Sequence, residues 1–253
     1  LPTREPRKDT LITLTIGGHA VDIRTPSKGD IKGNIIVLPG WSFAKDDWCA
    51  KSSLCTKALA QGYRLILPEM SKSVYSGKYY PETIKEWQKF PSKTWVVEEM
   101  IGTLQKKHAM LLSTQKNFIL GLSTGGRGVA LIALAKPDLF AAAAALSGDF
   151  DQTQMTTDRL MIGYYGSYLQ FKSRWEGEDN PTKQAIYWKT PIYLGHGKQD
   201  NIVPVSQTQT FFNAIKKHHP NLKIKLNLPE ATHDYKYWDG EVDNMLAFFA
   251  DFL

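Results

Sequence analysis

Long apolar runs are missing from this chain of 253 residues, and cysteine is nearly so, with two in the whole chain. The apolar stretch at 140–146 falls far short of the roughly 20 residues that a membrane span needs, so no span is expected. Metal-ligand spacings are absent too: there is no His-x-x-x-His, no paired Cys-x-x-Cys and no carboxylate cluster, and neither a metal nor a cofactor is expected. The glycines at 121–126 lack the Lys-Ser/Thr of a phosphate loop, which argues against nucleotide binding. Charge is not concentrated either. The 31 Lys and Arg against 25 Asp and Glu give a formal +6. The basic residues mix with acidic ones apart from runs at 4–8 and 216–225, and no aromatic residues interleave with them. The expectation is a solvated basic surface that favours anionic substrates or surfaces, and no nucleic-acid partner. Nothing in the sequence bears on oligomeric state.

Cys49 and Cys55 allow either a disulfide or two buried thiols. Six residues along one continuous helix rise about 9 Å, more than the roughly 7 Å Cα limit, so a bridge requires Cys49 to lie before its helix begins. The chain opens at Leu1 without an initiator methionine or a signal-like apolar segment, which fits a removed leader or a trimmed start. Export to a secreted or periplasmic location is favoured over the cytoplasm.

At 42% hydrophobic residues the chain can bury one large α/β core, and two independent domains are not expected. Alternating residues at 11–16 and 19–24 around Gly17-Gly18 predict an antiparallel hairpin. Short apolar strands are predicted at 34–38, 63–67, 118–122, 140–146, 191–195 and 222–228. Helices are predicted at 46–61, from the cap Ser92 over 94–112, at 127–136, at 204–217 and near 241–253. Strands alternating with helices imply a mostly parallel sheet with helices on both faces. Reactive groups then collect at the carboxyl ends of the strands.

Ser123 stands in Gly121-Leu122-Ser123-Thr124-Gly125-Gly126, between a predicted strand and a predicted helix. A G-x-S-x-G pattern in that context is a nucleophile elbow: the glycines remove side chains that would collide across a sharp turn, and the helix start turns N–H groups toward developing negative charge. A serine hydroxyl needs a base, and the base needs a carboxylate to fix its tautomer. His233 follows the strand 222–228 and serves as base, with His196 as its competitor. Asp200, between a strand and a helix, serves as acid, with Asp149 and Asp151 as fallbacks. The order Ser123, Asp200, His233 is that of the α/β-hydrolase fold, and His196 before Asp200 breaks it. The oxyanion donors are the N–H of Thr124 and of Trp41, with Ser42 as the near alternative to Trp41. Lid segments are expected near 69–91 and 148–190, and Tyr164, Tyr165, Trp175 and Trp188 in the second of them could line a substrate pocket or cover the sheet.

The elbow, the run Pro137-Asp138-Leu139-Phe140, Ala145-Leu146-Ser147-Gly148, Asp200 and His233-Asp234 with Trp238 together resemble the esterase D type of the α/β-hydrolase superfamily, from about residue 34 onward. The resemblance implies an α/β-hydrolase fold over 1–253 and a serine carboxylesterase acting on small-molecule acyl esters, aryl or sugar esters included, through an acyl-enzyme. It assigns the same triad and the same oxyanion donors. Leu122 and Thr124 stand where that family usually has histidine and methionine, and Leu38-Pro39-Gly40 stands for its Leu-His-Gly. An acyltransferase, a thioester hydrolase and a non-catalytic binding module are the alternatives. A peptidase is disfavoured for want of a propeller or large cap.

Overall fold

The computed structural model describes residues 8–27, 29–88 and 91–253. All but Lys8 of the basic run at 4–8 lies outside them. Among the described residues, eight strands form one sheet in the order β1-β2-β4-β3-β5-β6-β7-β8. They are β1 (Thr10–Ile16), β2 (His19–Thr25), β3 (Gly33–Leu38), β4 (Tyr63–Pro68), β5 (Asn117–Leu122), β6 (Ala142–Leu146), β7 (Ile192–Gly195) and β8 (Ile224–Asn227). β2 runs antiparallel to β1 and β4, and every other neighbouring pair is parallel. The hairpin pairs Ile16 with His19 across Gly17 and Gly18, whose φ of 55° and 82° only glycine adopts readily.

Alternation along the strands divides the core in two. Ile36, Leu38, Ile66, Ile119, Ala143 and Ala145 point to one face, and Ile35, Val37, Leu65, Leu67, Phe118, Leu120 and Leu122 to the other. Helices cover both faces, which is why these strands are apolar throughout rather than half polar. Ten α-helical segments are described. They are α1 (Asp47–Lys51), α2 (Leu54–Ala60), α3 (Ser92–Thr94), α4 (Ile101–His108), α5 (Thr124–Ala135), α6 (Arg159–Tyr165), α7 (Lys172–Glu176), α8 (Ser206–His218), α9 (Tyr235–Gly240) and α10 (Val242–Ala250). A π-helical stretch, Trp95–Met100, joins α3 to α4. Among the described residues no helix is long and apolar enough to cross a membrane.

Several boundaries differ from the sequence expectation. The helix expected at 46–61 is broken at Ser52 and Ser53 into α1 and α2, because Asp239 accepts hydrogen bonds of 2.7 Å from both the N–H and the hydroxyl of Ser53. The break, not a late helix start, brings the Cα atoms of Cys49 and Cys55 to 5.0 Å, and the two form a disulfide. Ser92 is the first residue of α3 rather than its cap, and its hydroxyl lies 2.5 Å from that of Ser73. The helix after the elbow starts at Thr124, directly after Ser123. The loop expected around His233 contains α9, capped by Asp234, whose carboxylate accepts from the Tyr237 N–H at 3.0 Å.

Candidate active site

β3 has β4 on one side and β5 on the other, so the sheet reverses its strand order between β3 and β5. A crevice forms outside the carboxyl ends at such a switch. Trp41 follows β3 and Ser123 follows β5, so the two stand beside that crevice.

Ser123 takes φ 53° and ψ −126°, a conformation that L-residues avoid. Its N–H donates to the Leu146 carbonyl at 2.8 Å, which ties the turn to β6. A side chain at Gly125 would meet the carbonyl oxygens of Leu38 and Pro39 at 2.6 Å, and one at Gly121 would fall on the Gly125 carbonyl. Both glycines are therefore required by close backbone approach. The result is a hydroxyl raised above the end of β5, at the N-terminus of a twelve-residue helix.

The structure brings Ser123, His233 and Asp200 into one line. The Ser123 hydroxyl lies 3.0 Å from Nε2 of His233, and Nδ1 of His233 lies 2.6 Å from Oδ2 of Asp200. A carboxylate only accepts, so Nδ1 carries the proton and Nε2 is left to accept from the serine. Oδ1 of Asp200 accepts from the N–H groups of Ile202 and Val203 at 2.9 and 2.8 Å. Burial opposes the Asp200 charge, but the hydrogen bonds from His196, His233 and the Val203 N–H outweigh it and hold the carboxyl well below the ordinary range. Trp238 stands edge-on to the His233 ring, with centroids 5.0 Å apart, and is itself pinned by donating to Ser147 Oγ at 3.0 Å.

His196 is fully buried. Its Nδ1 accepts from the Thr208 hydroxyl at 2.7 Å. The Nε2–H is shared between the Val203 carbonyl at 2.9 Å and Asp200 Oδ2 at 3.2 Å. The histidine that competes with His233 in the sequence thus braces the carboxylate. Asp151, a fallback acid, is spent on Thr153 and Asn180.

Among the described residues, the N–H groups of Trp41 and Thr124 enter no backbone hydrogen bond, whereas the Ser42 N–H donates to Ser71 O at 3.0 Å. Trp41 and Thr124 line a cavity of about 180 Å³ together with Ser123, Asp149, Met155, Asp158, Leu160, Met161, Ile202 and Val203. Of the four aromatic residues expected to line a pocket, none is among these. Tyr164 backs the site at one remove: its ring lies edge-on to Trp41 at 6.0 Å and its hydroxyl donates to Lys72 O. Tyr165 accepts from Arg127 Nη2 at 3.0 Å, and Trp175 donates to Gly166 O at 3.1 Å. Trp188 packs edge-on to Phe211 under the sheet. Their ring area is used in packing, so they stay buried.

Sequence reasoning missed Arg127. It is fully buried, and its guanidinium reaches Val74 O, Gln152 Oε1, Tyr165 Oη and Asp179 O. This one side chain ties segments 69–91 and 148–190 to the helix after Ser123. Asp149 faces it at 3.8 Å, and burial pushes the Asp149 carboxyl up to about 6 although the Arg127 charge pulls it down.

A model of the prolyl oligopeptidase family matches residues 60–253. No curated protein matches the chain. Among solved structures, the S-formylglutathione hydrolase of Agrobacterium tumefaciens superposes with a TM-score of 0.75 at 18% identity, covering 100% of this chain and 98% of that one. FphF, a fluorophosphonate-binding serine hydrolase of Staphylococcus aureus, gives 0.74 at 19%, covering 97% and 99%. A ferulic acid esterase gives 0.74 at 16%, covering 98% and 100%. At these identities the likeness is one of fold, the α/β-hydrolase fold.

Proposed function

The chain belongs to the prolyl oligopeptidase family and is a serine hydrolase of α/β-hydrolase fold, and on that premise we propose that it is a carboxylesterase that hydrolyses small acyl esters through Ser123, His233 and Asp200. The observation that carries this reading is the hydrogen-bonded line from Ser123 Oγ through His233 to Asp200. His233 takes the Ser123 proton as the hydroxyl attacks the ester carbonyl. The tetrahedral oxyanion is met by the N–H groups of Trp41 and Thr124, each worth about 10²- to 10³-fold in rate. His233 then passes its proton to the departing alcohol, and water repeats the cycle on the acyl-enzyme.

The size of the cavity supports a small acyl group. A void of about 150 Å³ holds one benzene ring, and the cavity here is about 180 Å³. The test is a panel of p-nitrophenyl esters of increasing acyl length, run on wild type and on Ser123→Ala. Turnover that falls with chain length and disappears in the variant is expected, and equal turnover by both proteins would overturn the reading. Amide hydrolysis is the second reading, favoured by the family match. Peptide p-nitroanilides in the same assay separate it: faster cleavage of these than of the esters would replace the esterase reading.

A further inference from the structure

Two cavities share helix α6. Leu160 and Met161 line the one beside Ser123, whereas Arg159, Ile162 and Gly163 line a second of about 600 Å³. Trp41 belongs to the first and Trp87 to the second, and their rings meet edge-on with centroids 5.0 Å apart. The reaction above makes no use of the second cavity. Its walls are mainly apolar, built from Ile84, Trp87, Ile162 and Phe171. They are also within reach of a ligand, since Ile84 and Ile162 stay 38% and 37% exposed. Apolar side chains gathered around a concave surface and left open to solvent mark a ligand site, which single exposed ones do not.

The charge in this cavity is uneven. Glu82 accepts from Arg174 at 2.5 Å, and the Arg174 guanidinium lies over the Phe171 ring at 3.6 Å from its centroid. Glu82 is thereby neutralised. The Ser167 hydroxyl donates to Gln170 at 3.0 Å. The carbonyls of Gly163 and Gly166 accept from the Ile84 N–H at 2.8 Å and from the Trp175 indole at 3.1 Å. Arg159 is exposed, and among the described residues its guanidinium enters no hydrogen bond and no ion pair. It supplies the one uncompensated charge on the cavity lining.

We propose that this cavity is a second ligand site, for an apolar carboxylate. A group of about two rings sits among Ile84, Trp87, Ile162 and Phe171, and its carboxylate pairs with the Arg159 guanidinium. The guanidinium fork matches the two oxygens of a carboxylate. An ammonium meets a like charge there, and a neutral amide gains no ion pair. The ring contact between Trp87 and Trp41 places this ligand one side chain away from a proposed oxyanion donor. The site does not rest on the esterase reading, because none of its residues takes part in that reaction.

The probe is naphthalene-2-carboxylate, because two rings exceed the cavity of about 180 Å³ at Ser123. Isothermal titration calorimetry compares it with naphthalene-2-carboxamide and 2-naphthylmethylamine. The acid is expected to bind with a Kd of about 1 mM or tighter. It should exceed the amide by about three- to fivefold at low salt, with the preference shrinking at high salt because the charge pair is exposed. Arg159→Gln is expected to bring acid and amide within about 1.5-fold of each other. Ile162→Gln is expected to weaken both by about fivefold and keep their ratio. Met155→Gln, on the cavity at Ser123, is expected to change neither. Arg159 and Ile162 are exposed, so their variants keep the fold, which circular dichroism checks. The site would be overturned by no binding of the acid at about 10 mM, by amide or amine bound as tightly as the acid, by an unchanged ratio in Arg159→Gln, or by a greater loss in Met155→Gln than in Ile162→Gln. Ester turnover that survives in Ser123→Ala would remove the esterase reading and leave these binding results as they stand.

Discussion

Replacing Asp200 with asparagine separates the chemical role of the carboxylate from its shape. Oδ1 of Asp200 accepts two backbone N–H groups, from Ile202 and Val203, so the amide oxygen of an asparagine is held on that side. The amide NH₂ must then occupy the place of Oδ2, 2.6 Å from Nδ1 of His233. Two donors cannot face each other at that distance. His233 responds by moving its proton from Nδ1 to Nε2, and an Nε2–H cannot accept the proton of Ser123. A correctly placed imidazole in the wrong tautomer costs about 10⁴-fold in kcat in triads of this kind. That corresponds to about 5 kcal/mol of transition-state stabilisation. The assay is steady-state hydrolysis of p-nitrophenyl acetate by Asp200→Asn, with far-UV circular dichroism to show that the fold is kept. A folded variant that stays within tenfold of wild type would refute the tautomer argument and the role of Asp200 with it.

The disulfide closes a loop of about six residues, worth about 2 kcal/mol through the unfolded state. The double variant Cys49→Ala/Cys55→Ala should melt about 4–8 °C lower by calorimetry, and an unchanged Tm would contradict this. Gly125→Ala puts a methyl 2.6 Å from two backbone oxygens at the end of β3, forcing the strand and α5 apart by several tenths of an ångström. It should cost about 1–3 kcal/mol of stability and about 10²-fold in kcat, checked by urea melts and ester turnover; wild-type values for both would show that the approach is not tight. The folded Asp200 carboxyl titrates below its unfolded value of about 3.9, so its contribution is complete above that pH and is lost as pH falls toward the folded value. Between pH 5 and 3 the Tm of Asp200→Asn should therefore fall less steeply than that of wild type, and parallel slopes would remove the shift.

The elbow was legible because its cause is local. Gly121 and Gly125 answer to a steric demand within five residues, and the apolar run before Ser123 and the helix pattern after it supply the context. The strand ends at Asp200 and His233 could be read the same way, and the structure brings these two side chains to Ser123 within hydrogen-bond distance. What the sequence concealed depends on distant partners. Ser52-Ser53 reads as ordinary helix until Asp239, 186 residues beyond Ser53, takes both donors of Ser53. Arg127 stands between Gly126 and Gly128 in a helix pattern, where a surface cation would read the same, and only the fold reveals the oxygens of Val74 and Asp179 that bury it. Trp175 and Trp188 stand in an irregular segment, where ring type does not say which side of the segment faces a cavity. Met155, Asp158 and Met161 line the cavity from that same segment. The one local hint there is Asp158, whose carboxylate caps α6 at the Met161 N–H.

The account stands on Ser123 as the nucleophile, and covalent labelling tests that most directly. Treatment with an alkyl fluorophosphonate, followed by peptide mass mapping, should place one adduct on the peptide containing Ser123, abolish ester hydrolysis in proportion to labelling, and leave Ser123→Ala unmodified. A label on another residue, or full activity in a protein labelled at Ser123, would contradict it.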